Sequence, residues 1–106
     1  MTIMDMAIRK AKQSKCRYKI SAIGLNYKGE VVGSAVNKPR FDRQHGGLHA
    51  ETNLIRRYGS RLKTIIICRV GDAGDLLAID PCKNCQKVAD KMGIKIVSIQ
   101  KEEAAI

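Results

Sequence analysis

Residues 49–70 read HAETNLIRRYGSRLKTIIICRV, a helical pattern that stops at a glycine and runs into an almost wholly apolar strand. Leu54, Ile55 and Tyr58 follow His49 at helical spacing, and Gly59 is the residue type that most readily leaves a right-handed helix. Lys63 to Val70 is rich in β-branched residues without polar alternation, as expected of a strand covered on both faces. A second unit lies downstream, with Val88, Ala89 and Met92 at helical spacing, Gly93 as the stop and Ile94 to Ile99 as the last strand. Helices placed between strands in this way act as crossovers, so the chain is of α/β type.

Upstream, residues 2–14 put Ile3, Met4, Ala7, Ile8 and Ala11 on one face with lysines opposite, an amphipathic helix whose apolar face is core packing. Tyr18 to Asn26 and Glu30 to Val36 are extended, separated by a turn at Lys28-Gly29. The expected order is helix, two strands, helix, strand, helix, strand, an α/β sandwich. Asn37 to Gly47 and Gly71 to Ile79 are the loops that open onto the two later helices. At 106 residues, without repeats or low-complexity tracts, the chain reads as one domain, 1–106.

The starts of those helices carry the chemistry. Cys82 and Cys85 are three apart, so on a helix they share a face and can grip one ion. Pro81 suits the first helical position and Asp80 the N-cap, where the helix dipole and a metal both favour thiolate over thiol. His49 and Glu51 are two apart, which on a regular helix separates them by roughly 200°, so both reach one site only from the first turn. Three ligands and one unliganded carboxylate describe a zinc with an open position, which marks a catalytic rather than a structural metal. A closed structural site needs a fourth ligand. Cys16, Cys68 and His45 remain, and none completes a second paired spacing; Cys68, within an apolar run, reads as buried packing and Cys16 as a helix-to-strand junction. A bare C-x-x-C redox motif leaves His49 and Glu51 without a role.

His49-Ala50-Glu51 with Pro81-Cys82-x-x-Cys85 is the H-x-E and P-C-x-x-C signature of zinc deaminases, and on these residues the chain resembles the cytidine and deoxycytidylate deaminase superfamily. The resemblance implies a three-layer α/β/α fold around a central mixed sheet of about four strands. It further implies one Zn²⁺ per chain on His49, Cys82 and Cys85, water at the fourth position, and Glu51 as proton shuttle. The Ala50 N–H is expected to hold the pyrimidine carbonyl. Asn37 ends the second strand where related deaminases often place an asparagine that bonds sugar or base; a turn asparagine near Pro39 is the structural alternative. Arg40, Arg43 and His45 follow in the same loop, to meet a phosphate or simply to be solvated. Free-nucleoside cytidine deaminases usually carry cysteine where this chain has His49, which leans toward the deoxycytidylate, polynucleotide and tRNA adenosine branches. The family usually continues beyond the fourth strand, where this sequence soon ends.

Twenty Lys and Arg against ten Asp and Glu give a net charge of +10, which favours anionic partners. The charge is densest over Arg9, Lys10, Lys12, Lys15, Arg17 and Lys19, with a second group at Arg56, Arg57, Arg61 and Lys63. Aromatic content of 4% offers few platforms for stacking successive bases, which weighs toward a mononucleotide. No stretch approaches the roughly 18 apolar residues of a membrane span, and the N-terminus lacks a secretory core, so a cytoplasmic chain is expected. Cysteines committed to metal suit that reducing compartment. The expected function is deamination of cytosine to uracil in a nucleotide, CMP or dCMP, with release of ammonia. One alternative is deamination of cytosine or adenine in single-stranded DNA or RNA. Another, of a different class, is a non-enzymatic basic zinc module that binds nucleic acid, against which Glu51 argues. Expected partners are the nucleotide substrate and no membrane, with single-stranded nucleic acid and self-association left open.

Overall fold

Thr2 opens the first helix, α1 (Ile3–Ala11), through a capping box in which its hydroxyl accepts the Asp5 N–H at 3.1 Å and the Asp5 carboxylate accepts the Thr2 N–H at 3.3 Å. The computed structural model describes residues 2–15, 19–39, 47–48, 50–71, 75–77, 79–80 and 83–99. α1 ends three residues before the expected 14. The Gln13 and Ser14 N–H groups turn back to the Lys10 and Ala11 carbonyls, both at 3.0 Å, and these tight bonds close the helix.

Two antiparallel strands follow, β1 (Lys19–Leu25) and β2 (Val31–Val36), in the register Ser21↔Val36 and Gly24↔Gly33. Asn26 organises the expected turn between them, its Oδ1 accepting the Lys28 and Glu30 N–H groups at 2.9 Å each. Next comes a short ribbon that the sequence did not announce, β3 (Lys38–Pro39) with β4 (Gly47–Leu48), paired Lys38↔Leu48 and Pro39↔Gly47. α2 (Ala50–Tyr58) leads through a 3₁₀ turn at Gly59–Arg61 into β5 (Thr64–Val70), and β6 (Leu76–Leu77), α3 (Lys83–Met92) and β7 (Lys95–Ser98) complete the described elements. Gly59 and Gly93 lie at φ +50° and +72°, the left-handed region that glycine enters without strain, and both sit where the sequence put the helix stops.

β1 lies between β2 and β5, antiparallel to both. β2 and β5 are therefore parallel, and α2 is the crossover between them. β5 shares its other edge between two strands, β7 running parallel along Thr64–Ile67 and β6 antiparallel at Arg69–Val70. The sheet is mixed as expected, with five strands among the described residues where about four were expected. The additional strand, Leu76–Leu77, falls in the segment 71–79 read as a loop; two residues are too few to display alternation, and the hairpin is closed by the Gly71 N–H on the Asp75 carbonyl at 2.9 Å.

Alternate residues of the strands feed two cores, which gives the three layers. Ala22, Ile65 and Ile67 pack with Ala50, Leu54 and Ile55 of α2 and Ala89 of α3. Ile23, Cys68 and Val70 pack on the opposite face with Ala7 and Ala11 of α1. Each fully buried Leu, Ile or Val stabilises the fold by about 1.5–3 kcal/mol. Ser21, buried in the α1 layer, donates its hydroxyl to the Ala7 carbonyl at 2.6 Å, so its burial leaves no unmet polar group. Among the described residues no helix is long and apolar enough to cross a membrane.

Cys68 is wholly buried, and desolvation pushes its thiol up from 9.0 to about 11. The folded chain therefore holds this proton where the unfolded chain has released it. Its contribution is complete below about pH 9 and is lost as pH rises toward 11, at most on the order of 2 to 3 kcal/mol. Urea unfolding at pH 8 and pH 10.5 should show a steeper alkaline loss for the natural chain than for Cys68→Ala, and equal losses would refute the assignment.

Candidate active site

Glu51 lies in the first turn of α2 and is only 4% exposed, in a chain whose other acidic side chains among the described residues are not buried. Its carboxylate has no hydrogen bond or ion pair among the described residues. A carboxylate drawn largely out of water is costly without a polar partner, and among the described residues none supplies one. Ala50 precedes it as the first helical residue, and an N–H at that position has no acceptor within its own helix.

Cys85 is the third residue of α3, 3% exposed and in no disulfide. Its Sγ lies 3.2 Å from Thr52 Oγ1, next to Glu51 on α2. This contact joins two crossover helices at their N-terminal turns, as the sequence required of a shared site. Thr52 was not singled out from the sequence. The signal for it is its place one residue after Glu51, in the first turn of the helix that the motif opens. Cys68, by contrast, belongs to the core on the opposite face of the sheet, which confirms its reading as packing and removes it as a ligand beside Cys85.

Asn37 follows β2, and the β3–β4 ribbon carries the chain back to α2, so Asn37 and Ala50 each lie within two residues of the Lys38↔Leu48 pair. The side-chain oxygen of Asn37 accepts from the Ser14 hydroxyl at 2.7 Å and from the Ile20 N–H at 3.0 Å. His49, Cys82, Arg40, Arg43, His45, Cys16 and Pro81 lie outside the described residues; of the expected helix start at Asp80-Pro81, Asp80 is described, exposed ahead of α3.

Among the described residues the basic groups on the helices fall on opposite sides of the sheet. Arg9, Lys10 and Lys12 ride on α1 or its end, on one side of the sheet, while Arg56 and Arg57 end α2 on the other. Arg57 and Arg61 stand 5.9 and 5.8 Å from the centre of the Tyr58 ring, and Lys63 stands 5.7 Å from that of Tyr27. Arg57 is about 9 Å along the helix from Glu51.

Residues 1–101 match the family model described as the cytidine and deoxycytidylate deaminase zinc-binding region. The chain belongs to the cytidine and deoxycytidylate deaminase family. It is accordingly a zinc-dependent hydrolytic deaminase. Solved structures agree in fold. The cytidine deaminase from Burkholderia pseudomallei has a TM-score of 0.67 at 16% identity, covering 95% of this chain and 88% of that one. Those from Mycobacterium leprae and Mycobacterium tuberculosis give 0.63 and 0.62 at 19% and 20% identity, covering 92% and 96% of this chain and 89% and 88% of theirs. Among curated proteins none matches the sequence. A deaminase of this family needs zinc; of the three ligands read from the motifs Cys85 alone is described, a buried thiol of the kind zinc takes, and among the described residues no three His, Cys, Asp or Glu side chains gather as a metal site.

Proposed function

We propose that the protein deaminates cytosine to uracil in a mononucleotide, CMP or dCMP, using one zinc ion per chain. The observation that carries the proposal is the buried side chain of Glu51, without a hydrogen bond or ion pair among the described residues, in the helical turn against which Cys85 packs. His49, Cys82 and Cys85 would hold the metal, which would supply Lewis acidity and so make water a stronger nucleophile near neutral pH. Glu51 carries both protons of the attacking water, the first to the ring nitrogen, where it stays, and the second to the departing amine, so that water and cytosine become uracil and ammonia. A buried carboxylate is suited to this because no competing cation among the described residues ties it down. Thr52 orients the Cys85 sulfur by its hydroxyl. The Ala50 N–H, unused by its helix, holds the pyrimidine carbonyl, Asn37 bonds the sugar or base, and Arg40 and Arg43 meet the phosphate. Thiols committed to metal suit a cytoplasmic enzyme.

The basic surface separates a monomer from a polymer substrate. Among the described residues Arg9 and Lys10 on α1 and Arg56 and Arg57 on α2 lie in different layers of the sandwich, and Arg57, Arg61 and Lys63 stand against tyrosine rings, which favours a mononucleotide over a strand tracked across one face. The test compares kcat/KM for CMP, dCMP, cytidine and a cytosine-containing oligonucleotide at two salt concentrations. Monomers should be preferred, with a salt dependence no steeper than a single phosphate contact explains. Preference for the oligonucleotide, with log affinity falling by about 0.7 per contacted phosphate per log unit of salt, would replace this reading by the polynucleotide one.

A further inference from the structure

Ser14 lies just past α1, 5% exposed, and its hydroxyl reaches a residue 23 positions away. The single hydroxyl hydrogen is shared between Asn37 Oδ1 at 2.7 Å and the Asn37 main-chain oxygen at 3.0 Å. The Ile20 N–H donates to the same Oδ1 at 3.0 Å, and the Asn37 N–H donates back to the Ile20 carbonyl at 3.0 Å. A backbone N–H can only donate, so the amide atom that faces Ile20 must be the oxygen. A flipped amide would set two donors against each other. Two donors from outside β2 thus decide the orientation of Asn37, and its Nδ2, a donor only, stands on the other side of Cγ.

We infer that Ser14 is a positioning residue for substrate: it locks the Oδ1 of Asn37, so that this amide meets the nucleotide through Nδ2 and the substrate atom it meets is an acceptor. A sugar hydroxyl oxygen or the ring carbonyl satisfies that requirement; a group that offers only hydrogens does not. The inference rests on the proposed substrate contact of Asn37. Ser14 itself touches no substrate. Without the Ser14 hydroxyl, Oδ1 loses the shorter of these two hydrogen bonds, the amide is held less firmly, and the cost falls on binding rather than on the chemical step.

The test measures kcat and KM for Ser14→Ala, Ser14→Thr, Asn37→Asp and the double variant Ser14→Ala/Asn37→Asp, on cytidine, deoxycytidine, CMP, dCMP and a cytosine oligonucleotide. Asn37→Asp retains the oxygen that Ser14 and Ile20 hold but replaces the Nδ2 donor with an acceptor. Loss of one such hydrogen bond should raise KM about tenfold in Ser14→Ala with kcat within about twofold, Ser14→Thr should restore it, and Asn37→Asp should raise KM at least as much. Once Nδ2 is gone, Ser14→Ala should add less than about twofold. A Ser14 that is merely a structural clasp lowers the melting temperature without this KM pattern. Unchanged KM in Ser14→Ala with raised KM in Asn37→Asp overturns the positioning role alone, as does a full Ser14→Ala effect in the double variant. Unchanged KM in Asn37→Asp overturns the substrate contact and the inference with it, as does absence of turnover on all five substrates. Should Ser14→Ala fail to fold, Ser14→Cys, close in volume and a weaker donor, is read by the same criteria.

Discussion

Glu51→Gln should abolish deamination while leaving the fold and the zinc content in place. Glutamine matches glutamate in shape, so the first turn of α2 keeps its packing, and the exchange removes a costly buried charge rather than adding one. What it removes is the proton carrier. General acid/base groups contribute typically about 10² to 10⁴-fold, and the loss should appear in kcat more than in KM, because the carboxylate acts on the reacting atoms. Zinc per chain by elemental analysis and the melting temperature should match the unaltered protein or exceed it. Turnover within a few-fold of normal would end the proton-shuttle assignment, and loss of zinc would recast Glu51 as a ligand.

Replacing both Cys82 and Cys85 by alanine should reduce zinc from one per chain to nearly none, with activity below detection. A single remaining imidazole does not hold zinc tightly, since affinity comes from the complete donor set in a fixed geometry. Cys85 is buried against Thr52, so its loss also leaves that hydroxyl facing a void, and a lower melting temperature should accompany metal loss. Thr52→Val, which keeps the thiols, separates the two effects by retaining most of the metal. Zinc remaining near one per chain in the double alanine variant would place the metal elsewhere.

The crossover helices were legible because Leu54, Ile55 and Tyr58, then Val88, Ala89 and Met92, repeat at helical spacing and each series ends on a glycine whose backbone does turn left-handed. β5 was legible because Ile65, Ile66 and Ile67 have no polar alternation, and the two cores on either side of it explain why. β3 and β4 escaped because they contain Pro39 and Gly47, poor strand formers held by pairing rather than by propensity. Leu76–Leu77 escaped for want of length. At the site, motif spacing set Glu51 and Cys85 at two helix starts, and both side chains are buried there, while His49 and Cys82 lie outside the described residues. Ser14 could not be read, because a hydrogen bond between positions 14 and 37 leaves no local trace in either stretch.

The register of β1 with β5, from Lys19↔Val70 to Leu25↔Thr64, sets a timetable for synthesis. β1 and β2 are neighbours in sequence and can zip together as soon as Val36 has been made, whereas the other edge of β1 waits until Val70 follows. At about 5–20 residues per second that interval lasts on the order of several seconds. Throughout it, the edge that includes Ala22 and Ile23 has no strand beside it, and the whole of α2, Glu51 included, is made inside the loop that β5 will close. The speed of the ribosome over this stretch therefore governs how long a newborn chain presents an open strand to its neighbours.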